Sequence, residues 1–392
     1  MLVLCNKETR NTMERIYCDN AATTKLAPGV IHALNAVHTC DFTGNPSATY
    51  QEGRVTREII DRMRDHVAQL LGGHFSEVMF TSGGTESDNV AVIGSYLARR
   101  KEGRSNVVVS AVEHHAVLDA AKWLATFFGV DVRVARVDGQ GKVDLNHLES
   151  LVNSQTAVVS VQHANNELGT IQPVREVSKL AQAAGAWFHC DAVQTPLSVP
   201  FCVDDIGADL VTISSHKIHG PKGIGALWHR VPFEPLQVGG AQERGIRGGT
   251  ENVYGIVGFG TAAMLASEDR YSDRPRAQIL KVVSDFLRSE LRHQPNVVIN
   301  TPDQGAMASH VHVSILGRQT EDILLALDRQ CISASGGAAC ASGAVEPSHV
   351  LLATGMSKAG RDGALRLSVG PDNTIEEMRY VAGVIGALAM HG

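Results

Sequence analysis

The sequence predicts an α/β protein, a mostly parallel sheet covered by helices on both faces, with a second and smaller α+β unit. Two observations carry this. From about residue 75 to 230, short apolar runs alternate with amphipathic stretches, the pattern of strand and helix in turn. Beyond 230 that alternation stops. A Gly-rich segment at 238–250 then leads into long helical sequence, a few strands and a C-terminal helix from about 374. The chain has 392 residues, 44% of them hydrophobic, which is enough apolar material for two cores.

The strands are read at 78–80, 106–110, 157–162, 186–190, 210–214 and 225–229, each a short run rich in β-branched or aromatic residues. Helical periodicity falls between them at 86–101, 115–128 and 174–184. Strands joined by helices pair in parallel, and ligands of such sheets bind beyond the carboxyl ends of the strands. Polar clusters follow several of these ends, so the chemistry is sought there. No internal repeat or low-complexity linker interrupts the pattern.

Composition excludes several classes. Net charge is −6 and the basic residues are dispersed, which is not the footprint of a nucleic-acid-binding face. The basic run at 99–101 reads as a solvated helix end. No segment is long and apolar enough to span a bilayer. The nearest, 253–266, is broken by Gly255, Gly258 and Gly260. The first residues lack the apolar stretch of a secretory signal. Residues 1–12 read as a loose tail, with Met13 an alternative start. Seven cysteines, an odd number without CxxC spacing, suit free thiols in a reducing cytoplasm and disfavour zinc.

Four motifs carry candidate chemistry. TSGGTESDN at 81–89 joins a strand to a helix. Gly83 and Gly84 let the backbone approach an anion, and Thr85 adds a hydroxyl. An ordinary capped helix fits the same residues equally well. Lys217, in SSHKIHGPKG at 214–223, follows another strand end among small and polar residues, with Ser214 and His216 as further donors. A lone lysine is ordinarily a solvated surface residue. A Schiff-base lysine must instead sit beside a cofactor and be able to lose its proton. Asp191 ends a strand, where it either caps a turn or pairs with a pyridine nitrogen, and Gln194 lies three residues on. His114 follows 106–110, and Asn166 follows 157–162. A lone histidine is more often a partly buried residue than an acid–base group. The set places a phosphate loop, an imidazole, an amide, a carboxylate and a lysine at successive strand ends.

In that order the chain resembles the cysteine desulfurases of the NifS/IscS type, in the fold-type I, class V aminotransferase group of pyridoxal-5′-phosphate (PLP) enzymes. The resemblance rests on DNAATT (19–24), GNPS (44–47), TSGGTESDN, EHHAVLD (113–119), NNELG (165–169), DAVQ (191–194), HKIHGPKGIG (216–225), QERGIRGGTEN (242–252), SGGAACASGAVEPSHVL (335–351) and LRLSVG (365–370). It covers nearly everything from Tyr17 onward. It implies a seven-stranded sheet in a large domain at 27–265, and a small domain at 13–26 and 266–392 that carries a cysteine loop.

The resemblance also implies roles. Lys217 would hold PLP covalently. Asp191 would pair with the ring nitrogen, Gln194 and Asn166 would contact the ring's edge, and His114 would stack on it. Gly84, Thr85, Ser214 and His216 would bind the phosphate, and Thr250 would reach the phosphate of a partner subunit, making a homodimer. Arg366 and Asn45 would hold the substrate carboxylate, a task suited to arginine's planar fork. Cys340, as thiolate, would take sulfur from L-cysteine as a persulfide and leave L-alanine. His114 would manage the substrate thiol proton. The sulfur would pass to an iron–sulfur scaffold or another acceptor protein, in housekeeping or nitrogenase maturation, with no resident metal. Cys340 would meet an iron–sulfur cluster only in passing. Cys331 fits an inert thiol instead. Selenocysteine lyase or another class V PLP enzyme such as an aminotransferase, and a sulfur-relay scaffold subunit without turnover, are the rival readings. Departures from the family's usual residues fall at Gly336, Ala338, Ala48, Tyr50, Asp362 and Ala364. They bear on the cysteine loop and leave the cofactor residues in place.

Overall fold

A computed structural model describes residues 14–39, 44–270, 272, 275–337 and 347–390. The tail read at 1–12 and Cys340 lie outside these residues.

The larger sheet has seven strands, ordered Val78–Thr81, Gly225–His229, Leu210–Ser214, Trp187–Asp191, Thr156–Ser160, Asn106–Ser110 and Asp131–Ala135. The last five pair in parallel. Gly225–His229 runs against both of its neighbours. The link from Ser214 to Gly225 is too short for a crossover helix, so the chain turns back on itself. Asp131–Ala135 is an additional edge strand whose half-exposed, charged sequence hides it. The helix read at 86–101 starts earlier, at Gly84–Asn89, and contains a π turn at Val90–Gly94 before continuing through Ser95–Arg99. Such turns cluster at functional sites.

One apolar cluster packs the sheet residues Phe80, Val159, Phe188, Val211 and Trp228 against Ile60 and Leu71 of the helix Gln51–Leu71 and Phe259 of Val253–Arg270. Each such buried side chain contributes about 1.5–3 kcal/mol. A Cβ on Gly260 would lie 2.5 Å from Met63 Cβ, so this glycine serves close packing of the two helices. A second cluster joins Ile16 and Cys18 to residues between Leu280 and Ala389, around an antiparallel sheet ordered Ala364–Ser368, His310–Ile315, Val297–Ile299. Val112 and Leu168 meet Val350, Leu351 and Ala364 in a third cluster, which ties the strand-end loops of the larger sheet to this second region.

Ile16–Tyr17 pairs in parallel with Ile332–Ser333, and Asp19 bridges to Ser368. The DNAATT segment therefore leaves the smaller sheet and runs to the larger sheet's strand ends, where Thr24 N–H donates to the His216 carbonyl.

Candidate active site

Parallel strands end at one edge, so the residues that follow them converge. Here they enclose a cavity of about 280 Å³, the size of a small ligand. Gly84 and Thr85, His114, Asn166, Asp191, Gln194, Ser214, His216, Lys217 and Arg366 all line it. Asn45 and Thr250 do not. Asn45 is exposed, its side chain accepting the Ser47 N–H at 2.9 Å, and Thr250 is exposed on the Gly-rich loop.

The floor is built around Lys217. Its Nζ donates to the carbonyls of Ala21 and Ala22. Gln194 Nε2 donates to the Ala21 carbonyl at 3.0 Å. DNAATT is thus backbone scaffolding for the lysine. Asp191 is buried and accepts the Val193 N–H at 2.9 Å. Burial lifts its pKa to about 6, against the Val193 hydrogen bond and the Lys217 charge, so it is an anion at neutral pH. Ser214 Oγ is buried without a partner among the described residues.

Two further carboxyls lie behind Asp191. Asp88 is buried and its Oδ1 has no hydrogen-bond partner among the described residues; burial, and then the Asp191 charge, raise its pKa well above the usual range. Its nearest basic group, His189 Nε2 at 3.6 Å, belongs to a ring whose nitrogens meet the Ser160 and Thr212 hydroxyls and whose pKa burial lowers to about 3. Asp88 therefore holds its proton while Asp191 carries the charge. Burial likewise lifts Glu113 to about 8, against hydrogen bonds from the Ser110 hydroxyl and the Gln162 N–H.

The phosphate-loop side is tied to the Gly-rich segment. Glu86 accepts the Ser82 N–H at 2.7 Å and pairs with Arg247 at 2.7 Å. Glu243 and Arg64, both side chains 2% exposed, form a bidentate pair, and Glu243 also accepts the Phe80 N–H. These contacts place the loop at 238–250 against the strand that feeds TSGGTESDN.

Histidines ring the mouth. His114 caps the helix His115–Phe128, its Nδ1 accepting the Ala116 N–H at 3.1 Å. Burial, and then Lys217, lower its pKa to about 4. His349 Nε2 donates to the Glu113 carbonyl at 2.9 Å, and its ring meets His115 edge-on at 4.7 Å. Ser348 Oγ donates to Glu167 Oε2 at 2.7 Å. Arg366, 2% exposed, donates to the Asn166 carbonyl at 3.0 Å and pairs with Asp19 at 2.8 Å, while its Nε is without a partner among the described residues.

Sequence reasoning missed Asp88, Glu113, Glu167, His115 and His349. Asp88 had a local signal, since it lies four residues after Gly84 and so on the same helix face. His349 had none, because its contact to Glu113 spans 236 positions.

The sequence profile of the class-V aminotransferases matches residues 16–381. The chain belongs to the class-V aminotransferase family. Within it, the chain is 40% identical over 384 residues to a cysteine desulfurase IscS of Methanosarcina thermophila, covering 97% of this chain and 94% of the relative. A solved NifS-like protein superposes with a TM-score of 0.89 at 33% identity, over 97% of this chain and 100% of that one. A structure described as SspA in complex with cysteine gives 0.79 at 30% identity, over 92% and 100%. Class-V aminotransferases of this kind depend on PLP, and the cavity fits that cofactor. It has an anionic buried carboxylate, an amine, an unsatisfied buried hydroxyl at Ser214, and at Gly84 a site where a Cβ would press on Val193 at 3.0 Å.

Proposed function

We infer that this class-V aminotransferase is a PLP-dependent cysteine desulfurase, which converts L-cysteine to L-alanine and captures the sulfur on Cys340. The observation that supports this most is the convergence of Lys217, Asp191, His114 and Arg366 on one cavity, in a chain whose relatives bear that name.

PLP, when bound, supplies an electrophilic carbon for an amine and a sink for the electron pair released at Cα. Lys217 would hold it, and Asp191 would face its ring nitrogen as the anion among the floor carboxyls. The proton kept on Asp88 leaves that negative charge on Asp191. Gly84, Thr85, Ser214 and His216 would receive the phosphate at the start of the helix that opens at Gly84. His114 presents its ring to the cavity, with Gln194 and Asn166 at the edges.

Arg366 is fixed by Asp19 and the Asn166 carbonyl, so the guanidinium that lines the cavity is held in place rather than mobile. That group takes the substrate carboxylate in our reading. Lys217 Nζ then takes the Cα proton. Cys340, as thiolate, attacks the substrate sulfur, because the thiolate is the nucleophilic form. The exposed Thr250, on a loop braced by Arg247 and Glu243, suits a contact across a homodimer. The sulfur acceptor would be an iron–sulfur scaffold or similar protein, in the cytoplasm. None of the described helices is long and apolar enough to cross a membrane.

The test is product analysis. Purified protein with L-cysteine should form alanine, and mass spectrometry should locate a persulfide on the peptide bearing Cys340. Pyruvate, or sulfide without a protein persulfide, would contradict the reading.

A further inference from the structure

The reaction proposed above requires a base at the cavity mouth, and the hydrogen bonds there decide which imidazole can serve. Four imidazoles line the cavity: His216, given above to the phosphate and with Nδ1 3.2 Å from the Thr23 hydroxyl, and His114, His115 and His349. In a neutral imidazole one nitrogen carries the proton and the other a lone pair, and the partner of each nitrogen fixes which is which.

His114 Nδ1 accepts a backbone N–H from Ala116. Its lone pair is therefore spent on the helix cap and its proton sits on Nε2. In that state it donates and does not accept. His349 is the reverse. Its Nε2 faces the Glu113 carbonyl, which can only accept, so Nε2 carries the proton and Nδ1 the lone pair. No donor among the described residues meets Nδ1. The ring is also held firmly. Ser348 caps the helix His349–Ala353, accepting the Leu351 N–H at 3.3 Å while donating to Glu167, and Val350 and Leu351 pack on Val112 and Leu168. His115 is more exposed and lies 4.0 Å from Asp119.

We propose that His349 is the proton acceptor of the sulfur-transfer step, its Nδ1 taking the substrate thiol proton that each turnover must release. This rests on the desulfurase reading. The substrate's S–H bond breaks, its proton going to Nδ1 and its pair staying on that sulfur, while a lone pair of the Cys340 thiolate forms the S–S bond. The Cβ–S bond breaks with its pair remaining on carbon, and Cβ ends as the methyl of alanine after taking up one proton. His349 returns to neutrality by releasing its proton to that carbon or to water. No oxidant or reductant is consumed beyond the two thiols.

Burial and the neighbouring His115 lower the proton affinity of His349, against the Glu113 carbonyl and Asp119. The other ionisable groups that line the cavity or touch the ring are His114, His216, Asp88, Asp191, Glu113, Glu167, Arg366 and Lys217. The ring is thus neutral at neutral pH and lost as a base in acid.

His349→Gln keeps an N–H for the Glu113 carbonyl and removes the base. In the holoenzyme, kcat for alanine formation should fall roughly 100-fold. The acid limb of the pH profile should vanish, KM should stay within about twofold, by the same principle that the base acts on the chemical step, and added imidazole should restore rate. The visible spectrum should be unchanged. Nitrogen-15 shifts of histidine-labelled holoenzyme should show His349 protonated at Nε2 and bare at Nδ1. An acid limb that persists in His349→Gln but vanishes in His114→Gln or His115→Gln would overturn the proposal, as would a proton on Nδ1. A parent enzyme that makes no alanine would count against the desulfurase reading instead, and the tautomer measurement judges His349 in either case.

Discussion

The two larger sheets bury the same kinds of polar residue to different ends. At the carboxyl edge of the seven-stranded sheet, buried Asp88, Gln162, Asp191 and Ser214 line a cavity. In the three-stranded sheet, His310, His312, Ser314 and Ser368 are equally buried, yet only Arg366 reaches that cavity. Strand direction makes the difference. Parallel strands bring every carboxyl end to one edge, so one polar residue per end builds a constellation. Antiparallel strands send alternate ends to opposite edges. His312 lies directly across from Arg366 in the register and packs beside Asn300 instead of meeting a ligand. Burial of titratable groups therefore marks a site only where topology gathers them.

Three substitutions test this contrast. Lys217→Ala should have the largest effect, lowering alanine formation by roughly 10³-fold or more and abolishing the yellow colour. Borohydride reduction of the parent, followed by peptide mapping, should fix the cofactor on Lys217 and not on Lys222. Arg366→Lys removes the fork while keeping a cation beside Asp19. KM for cysteine should rise roughly ten- to a hundredfold, as expected for losing a charge-assisted hydrogen bond of ~1.5–3 kcal/mol. An unchanged KM would confine Arg366 to the smaller sheet's packing. His312→Gln should leave kcat and KM alone and act on stability. Burial, and then Arg366, hold His312 neutral down to about pH 3. The unfolded chain, titrating near 6.5, is the better proton acceptor. Stability is thus full above pH 6.5 and lost as pH falls toward 3, and the variant's thermal midpoint should decline less steeply through that window. Parallel slopes for parent and variant would show that His312 does not contribute.

Much of the site was legible because it is local. Each strand end carries its functional group or is followed by it within a few residues, as Asp191 ends Trp187–Asp191 and Lys217 follows Leu210–Ser214. The alternation of strand and helix gave the sheet for the same reason. What stayed hidden is long-range or conformational. The reversed direction of Gly225–His229 follows from a short link, which apolar runs do not register. Asp131–Ala135 lies at an edge with charged residues exposed. Glu167 reads as part of a turn until Ser348 is seen bonded to it across 181 positions. Asn45 and Thr250, placed by resemblance, stand outside the cavity of the single chain.

The account's central claim is that cofactor chemistry belongs to the strand ends and sulfur capture to a separate thiol. Cys340→Ala tests it most directly, with Cys331→Ala as the thiol control. Alanine formation from L-cysteine is measured beside the visible spectrum before and after substrate. The account predicts that Cys340→Ala binds PLP and responds spectrally to cysteine, yet forms almost no alanine and no persulfide, while Cys331→Ala keeps its activity. Alanine formation at the parent rate in Cys340→Ala would contradict it, leaving a lyase that expels sulfide directly.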